Sequence, residues 1–189
     1  GFDTTSKFLI DLPFDGSFDW CSSFLKLSYT IQSFQIPYVL TDDKLIRILQ
    51  SCPLLNKVSL VNRDISVIDI FSNYRFPLHE LCIEYPDGLD VDIACDLFTC
   101  IINNICSYRP PLRQLAIAFA LSSTEPNDFN IDKNKYYISL VNKLILLFPS
   151  LQYLCIYSYF IPRIRMEFNE LDQYRFKLLC QMENEEKEN

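Results

Sequence analysis

Apolar residues along this chain recur with two periods, one fit for strands and one for helices. The first is carried by a short pattern that appears four times: Leu55-Asn-Lys-Val58-Ser-Leu60, Leu78-His-Glu-Leu81-Cys-Ile83, Leu112-Arg-Gln-Leu115-Ala-Ile117 and Leu151-Gln-Tyr-Leu154-Cys-Ile156. Each reads L-x-x-(L/V)-x-(L/I), and from its second apolar position the alternation is that of a strand. Leu81 and Ile83, or Leu154 and Ile156, are sent to one side and their neighbours to the other. A proline stands one or two positions ahead of each copy, as Pro53, Pro77, Pro111 and Pro149. Phe24-Leu-Lys-Leu27-Ser-Tyr29 is a fifth, degenerate copy. Strands are therefore predicted near 24–30, 55–61, 78–84, 112–118 and 151–157.

Between these strands the period becomes helical. Thr41-Asp-Asp offers an N-cap for Leu45, Ile46, Ile48 and Leu49, and Asp90 precedes Ile93, Leu97, Phe98, Ile101, Ile102 and Ile105. Ile138, Val141, Leu144, Ile145 and Leu147 make a third apolar face. Each helix ends near the next proline, which biases its predecessor toward extended backbone. The unit is thus helix, proline, strand.

These units resemble leucine-rich repeats of the ribonuclease-inhibitor-like kind, as found in the substrate-binding halves of F-box proteins, over about residues 20 to 160. The Asn or Cys that often follows L-x-x-L-x-L is not kept: Asn62 follows the Leu55 copy, but Tyr85, Phe119 and Ser158 hold the matching places. Copies starting at 24, 55, 78, 112 and 151 are spaced by 31, 23, 34 and 39 residues. Regular repeats run to about 20–29 residues. The resemblance and these spacings imply an α/β fold, an irregular leucine-rich-repeat-like solenoid with a parallel sheet on one face, helices on the other and a cap at each end. Residues 7 to 14 are a candidate N-terminal strand, and Phe168, Leu171, Tyr174 and Leu178 predict an amphipathic closing helix. Residues 1–181 then form a single domain, and the charged 182–189 segment is expected to fray into solvent. The chain opens on Gly-Phe-Asp and reads as a piece of a longer protein, in which no F-box is visible.

Composition narrows the chemistry. In a chain of 189 residues, about 13 glycines are expected at an average frequency near 7%. Only Gly1, Gly16 and Gly88 occur, too widely spaced for a Gly-rich phosphate loop. His79 is the one histidine, which rules out a two-histidine zinc site and leaves a single candidate base for any triad. A formal net charge of −7 argues against nucleic acid and anionic membranes as partners, whose phosphates it repels. The longest apolar run, Leu115 to Leu121, falls well short of the ~20 residues a membrane span needs. The eight cysteines lie mostly in apolar runs with no C-x-x-C, and read as reduced core thiols of an intracellular protein, cytoplasmic or nuclear. No cofactor or metal is implied.

Recognition is then placed on the sheet face opposite the leucines. That face takes Lys57 and Ser59; Glu80, Cys82 and Glu84; Gln114, Ala116 and Ala118; and Tyr153, Cys155 and Tyr157. Its expected centre is Ala116, Tyr153 and Tyr157, because tyrosine joins a large contact area and a polar tip to few rotatable bonds. Phe129, in the polar stretch from Leu121 to Asp132, is a second candidate anchor. Asp87, Asp90 and Asp92 read as helix capping rather than cation binding, and Arg163 and Arg165 alternate beyond the last strand as candidates for an acidic partner.

The expected function is a non-enzymatic protein–protein interaction module that recruits or scaffolds a partner. The F-box resemblance implies, more narrowly, a substrate receptor of a ubiquitin ligase. Alternatives are a structural subunit whose sheet is permanently buried in an obligate multiprotein complex, and single-stranded nucleic-acid binding through Tyr153, Tyr157 and Arg163; the sheet face could equally be covered by another part of a longer chain.

Overall fold

Period-two alternation becomes strand in the structure, a computed structural model that describes residues 33–36, 52–61, 78–121, 131–158 and 161–188. Among the described residues, one sheet holds six strands in sequence order: β1 (Ser33–Ile36), β2 (Lys57–Val61), β3 (Glu80–Leu89), β4 (Gln114–Leu121), β5 (Tyr153–Tyr157) and β6 (Ile164–Glu167). The first five run parallel, and β6 returns antiparallel along β5. The helix α1 (Val91–Tyr108) joins β3 to β4, α2 (Ile131–Leu147) joins β4 to β5, and α3 (Phe168–Glu188) follows β6.

The register superposes the motif copies. Val58, Leu81, Leu115 and Leu154 form one row across β2 to β5, and Leu60, Ile83, Ile117 and Ile156 form the next. None of these eight is more than 4% exposed, and the leading Leu55, Leu78, Leu112 and Leu151 are equally buried. Each such side chain contributes about 1.5–3 kcal/mol on burial, an upper estimate because unfolded chains already hide some surface.

The second motif position works through its backbone. The carbonyl of Asn56 accepts from His79 and Glu80 N–H (2.7 and 2.9 Å), that of His79 from Arg113 and Gln114 (2.7 and 2.9 Å), and that of Arg113 from Gln152 and Tyr153 (2.7 and 3.0 Å). A position that supplies only a carbonyl accepts any side chain, so His79 needs no imidazole chemistry to be there. The prolines set the turns before the strands. Pro53 and Pro149 take the second place of four-residue turns closed by Leu55 N–H to Cys52 O and Leu151 N–H to Phe148 O, both 3.1 Å. Pro111 is the centre of a three-residue turn closed by Leu112 N–H to Pro110 O at 2.7 Å.

The helices cover the leucine face. Phe98 of α1 meets Phe119 of β4 edge-on at 6.4 Å and Tyr137 of α2 at 6.0 Å, while Phe119 stacks on Tyr85 at 5.1 Å. On α3, Leu171 and Leu178 are buried and the Tyr174 hydroxyl pairs with Asn142 Oδ1 at 3.1 Å. Arg175 donates to the carbonyls of Ile145 and Phe148, both 3.2 Å, at the end of α2 where helix carbonyls lack partners, and also pairs with Asp172. Asp90 caps α1 by accepting from Asp92 N–H at 2.9 Å, as its position suggests.

Several expectations change. Ile93 is 54% exposed, since Ala94 occupies the centre of the arc formed by Leu97, Phe98, Ile101 and Ile105, and Ile93 falls at its edge. Phe168 is likewise exposed, at the first turn of α3. The charged terminal segment continues α3 to Glu188 instead of leaving it at residue 181, consistent with the good helix propensity of Met, Glu and Lys. The strand beside β2 is Ser33–Ile36, whereas 7–14, 24–30 and the helix expected after Thr41 lie outside the described residues. β6 is a further strand, beyond those the repeat predicts.

The glycine shortage has a local consequence. Arg109 caps the C-terminus of α1 in the left-handed conformation (φ 52°), its N–H bonded to Ile105 O at 2.9 Å. That conformation costs a residue with a Cβ about 1–2 kcal/mol. Glycine returns about 0.5–1 kcal/mol of this through the entropy of the unfolded chain. Arg109→Gly should therefore raise stability by about 0.5–1 kcal/mol, read as a higher urea midpoint; a lower midpoint would contradict this cap geometry.

Candidate functional site

The sheet face away from the helices presents three in-register rows. The first is Lys57, Glu80, Gln114, Tyr153 and Glu167; the second is Ser59, Cys82, Ala116, Cys155 and Arg165; the third is Val61, Glu84, Ala118 and Tyr157. Lys57, Glu84, Gln114 and Tyr157 are exposed, and Ser59, Glu80, Cys82, Ala116, Tyr153 and Cys155 are half-buried. The structure thus gathers all eleven residues assigned to this face, the half-buried Ala118 included, on one surface. Phe129, the remaining candidate, lies outside the described residues.

Cross-strand register creates pairs that no single motif copy contains. Lys57 Nζ meets Glu80 Oε2 at 2.5 Å, an exposed ion pair that does little for stability. Cys82 Sγ donates to Glu84 Oε1 at 3.3 Å. The Arg163 guanidinium lies over the Tyr157 ring, 5.8 Å from its centroid, and so holds a tyrosine that is still 54% exposed. Arg163 and Arg165 alternate in the sequence, and the structure shows the surface they join. The signal was the alternation Ile164-Arg-Met-Glu167, which puts Ile164 and Met166 toward the core and Arg165 and Glu167 on the open face.

Two groups on this face titrate away from their ordinary values. The Cys82 thiol is pushed up to about 11 by burial first, then by the hydrogen bond and charge of Glu84, with Ser59 opposing. The Tyr153 hydroxyl is raised by its hydrogen bond with Cys155, then by burial, with Arg165 pulling the other way. At neutral pH Cys82 is a thiol, and thiols react through their thiolates. Alkylation of Cys82 should therefore rise about tenfold per pH unit from pH 7 to 9 with no plateau, followed by mass spectrometry of the labelled peptide. A rise that flattens as the pH approaches 9, as an ordinary thiol gives, would contradict the burial of Cys82 and, after it, the contact with Glu84.

Of the other cysteines, Cys52, Cys95 and Cys106 are buried, and none of the seven that lie among the described residues forms a disulfide. Among the described residues no three side chains of His, Cys, Asp or Glu cluster as a metal site, and no helix is long and apolar enough to cross a membrane. What the open face offers is a broad, mixed surface, with Glu80 and Glu84 on β3, tyrosines on β5, and Arg165 and Glu167 on β6.

The chain matches no protein-family model, no curated protein and no solved structure. The reading of this face rests on its own residues.

Proposed function

We propose that this chain is a non-enzymatic interaction module, a leucine-rich-repeat-like solenoid that binds a protein partner through its open sheet face. The observation that carries the reading is the in-register repetition: rows of leucine and isoleucine bury one face, while the same strands present Lys57, Glu80, Gln114, Tyr153 and Tyr157 on the other. Such a face has contact area, and its tyrosines add polar tips on few rotatable bonds, the composition of a recognition surface. In this reading β6 and α3 are the C-terminal cap. The resemblance to F-box proteins adds a narrower version, a substrate receptor of a ubiquitin ligase, which requires co-purification with the adaptor subunit that F-box proteins bind.

The test is to isolate the full-length protein from its source cells, identify the bound protein and titrate it, purified, onto the 189-residue chain. Direct stoichiometric binding is expected; recovery of nucleic acid with salt-sensitive affinity, or no direct binder, would overturn the reading. A permanent structural subunit is the second reading, favoured by exposed Phe176, Leu179 and Met182 on α3. It predicts concentration-dependent self-association of the isolated chain in sedimentation.

A further inference from the structure

At the Glu84–Tyr157 end of the open face, opposite charges stand on opposite sides. Glu84, exposed on β3, accepts only the Cys82 thiol and meets no cation among the described residues. On the far side, β6 places Arg165 in register with Cys155, and Arg163 stands over Tyr157. Between these edges lie Ala118 of β4, in register with both Glu84 and Tyr157, and the exposed Tyr157 ring. The remaining charges of the face are less available to this end of it. Lys57 and Glu80 satisfy one another, and Glu167 sits in the opposite outer row beside Tyr153.

Dimensions then select the ligand. β3 and β6 are three strand spacings apart, about 14 Å. An extended chain advances about 3.3–3.4 Å per residue and points every second side chain to the same side, so residues i and i+4 stand about 13–14 Å apart with i+2 facing the same way. We propose that the open face binds an extended segment of its protein partner that crosses the strands, with a Lys or Arg over Glu84, an apolar side chain two residues along seated on Ala118 against Tyr157, and an Asp or Glu two residues further over Arg163 and Arg165. This inference rests on the interaction-module reading and supplies the chemistry of the partner. Opposite charges at the two ends fix the direction of the segment, because the reversed segment brings like charges together at both.

The experiment pans a displayed library of random dodecapeptides on the chain, then repeats the selection on Glu84→Lys, Arg165→Glu and Tyr153→Ala/Tyr157→Ala variants whose circular dichroism and melting match the parent. The expected result is enrichment of basic-x-apolar-x-acidic peptides in either chain direction. A synthetic representative should lose about tenfold or more in affinity on Glu84→Lys or Arg165→Glu, and regain it when the matching peptide charge is reversed. Peptides that depend on the tyrosines but show no charge spacing and ignore both charge reversals would overturn this inference and leave the interaction-module reading standing. Peptides that ignore the tyrosines as well, or no enrichment at all, would count against both.

Discussion

Phe119→Ala is expected to destabilise the chain by about 3–5 kcal/mol, the range for truncating a buried phenylalanine. Phe119 is 1% exposed and joins three elements: it stacks on Tyr85 of β3 and meets Phe98 of α1 edge-on, and Phe98 in turn meets Tyr137 of α2. Its removal leaves a cavity between sheet and helices and breaks aromatic pairs that add about 0.5–1.5 kcal/mol each beyond area burial. Since domains are stable by only about 5–15 kcal/mol, the loss is a large share of the total. Phe176→Ala is the internal contrast, because Phe176 is 68% exposed on α3 and its truncation should change stability by about 0.5 kcal/mol or less. Urea unfolding of both variants decides the matter. Equal midpoint shifts would contradict the packing of helices on the leucine face.

The second large effect concerns binding. Tyr153→Ala/Tyr157→Ala should weaken the partner about 100-fold or more, the product of two truncations at the scale of interface hot spots. The melting temperature should move by no more than a few degrees, since Tyr157 is exposed and Tyr153 half-buried on a face that no helix covers among the described residues. Calorimetric titration of the purified partner reads the first quantity and thermal unfolding the second. Unchanged affinity with intact folding would remove the tyrosines from the recognition surface.

Much of this architecture is written locally in the chain. The rows led by Val58 and Leu60 follow from period-two alternation, and membership of the open face follows with them, because a strand sends neighbours to opposite sides. The helices α1 and α2 follow from the apolar arcs after Asp90 and from Ile138 onward. Other features depend on partners distant in sequence. β1 has only Ser-Phe-Gln-Ile, too short to stand out without the leading leucine, and β6 becomes a strand because β5 offers it an edge. The contacts that give the face its chemistry are cross-strand or cross-turn: Lys57 with Glu80, and Arg163 over Tyr157. Their pairing depends on register, which no single copy of the motif specifies. Arg109 is illegible for another reason: its left-handed cap is a place where sequence reasoning looks for glycine, and this chain has almost none to spend there.

The central claim, that a protein partner sits on the open sheet face, is tested most directly by site-specific photo-crosslinking. A photoreactive residue in place of Gln114, exposed on β4, should join the partner covalently, while the same residue in place of Lys143, exposed on α2, should not. Crosslinks from position 143 with none from 114 would move recognition to the helical layer and contradict the account.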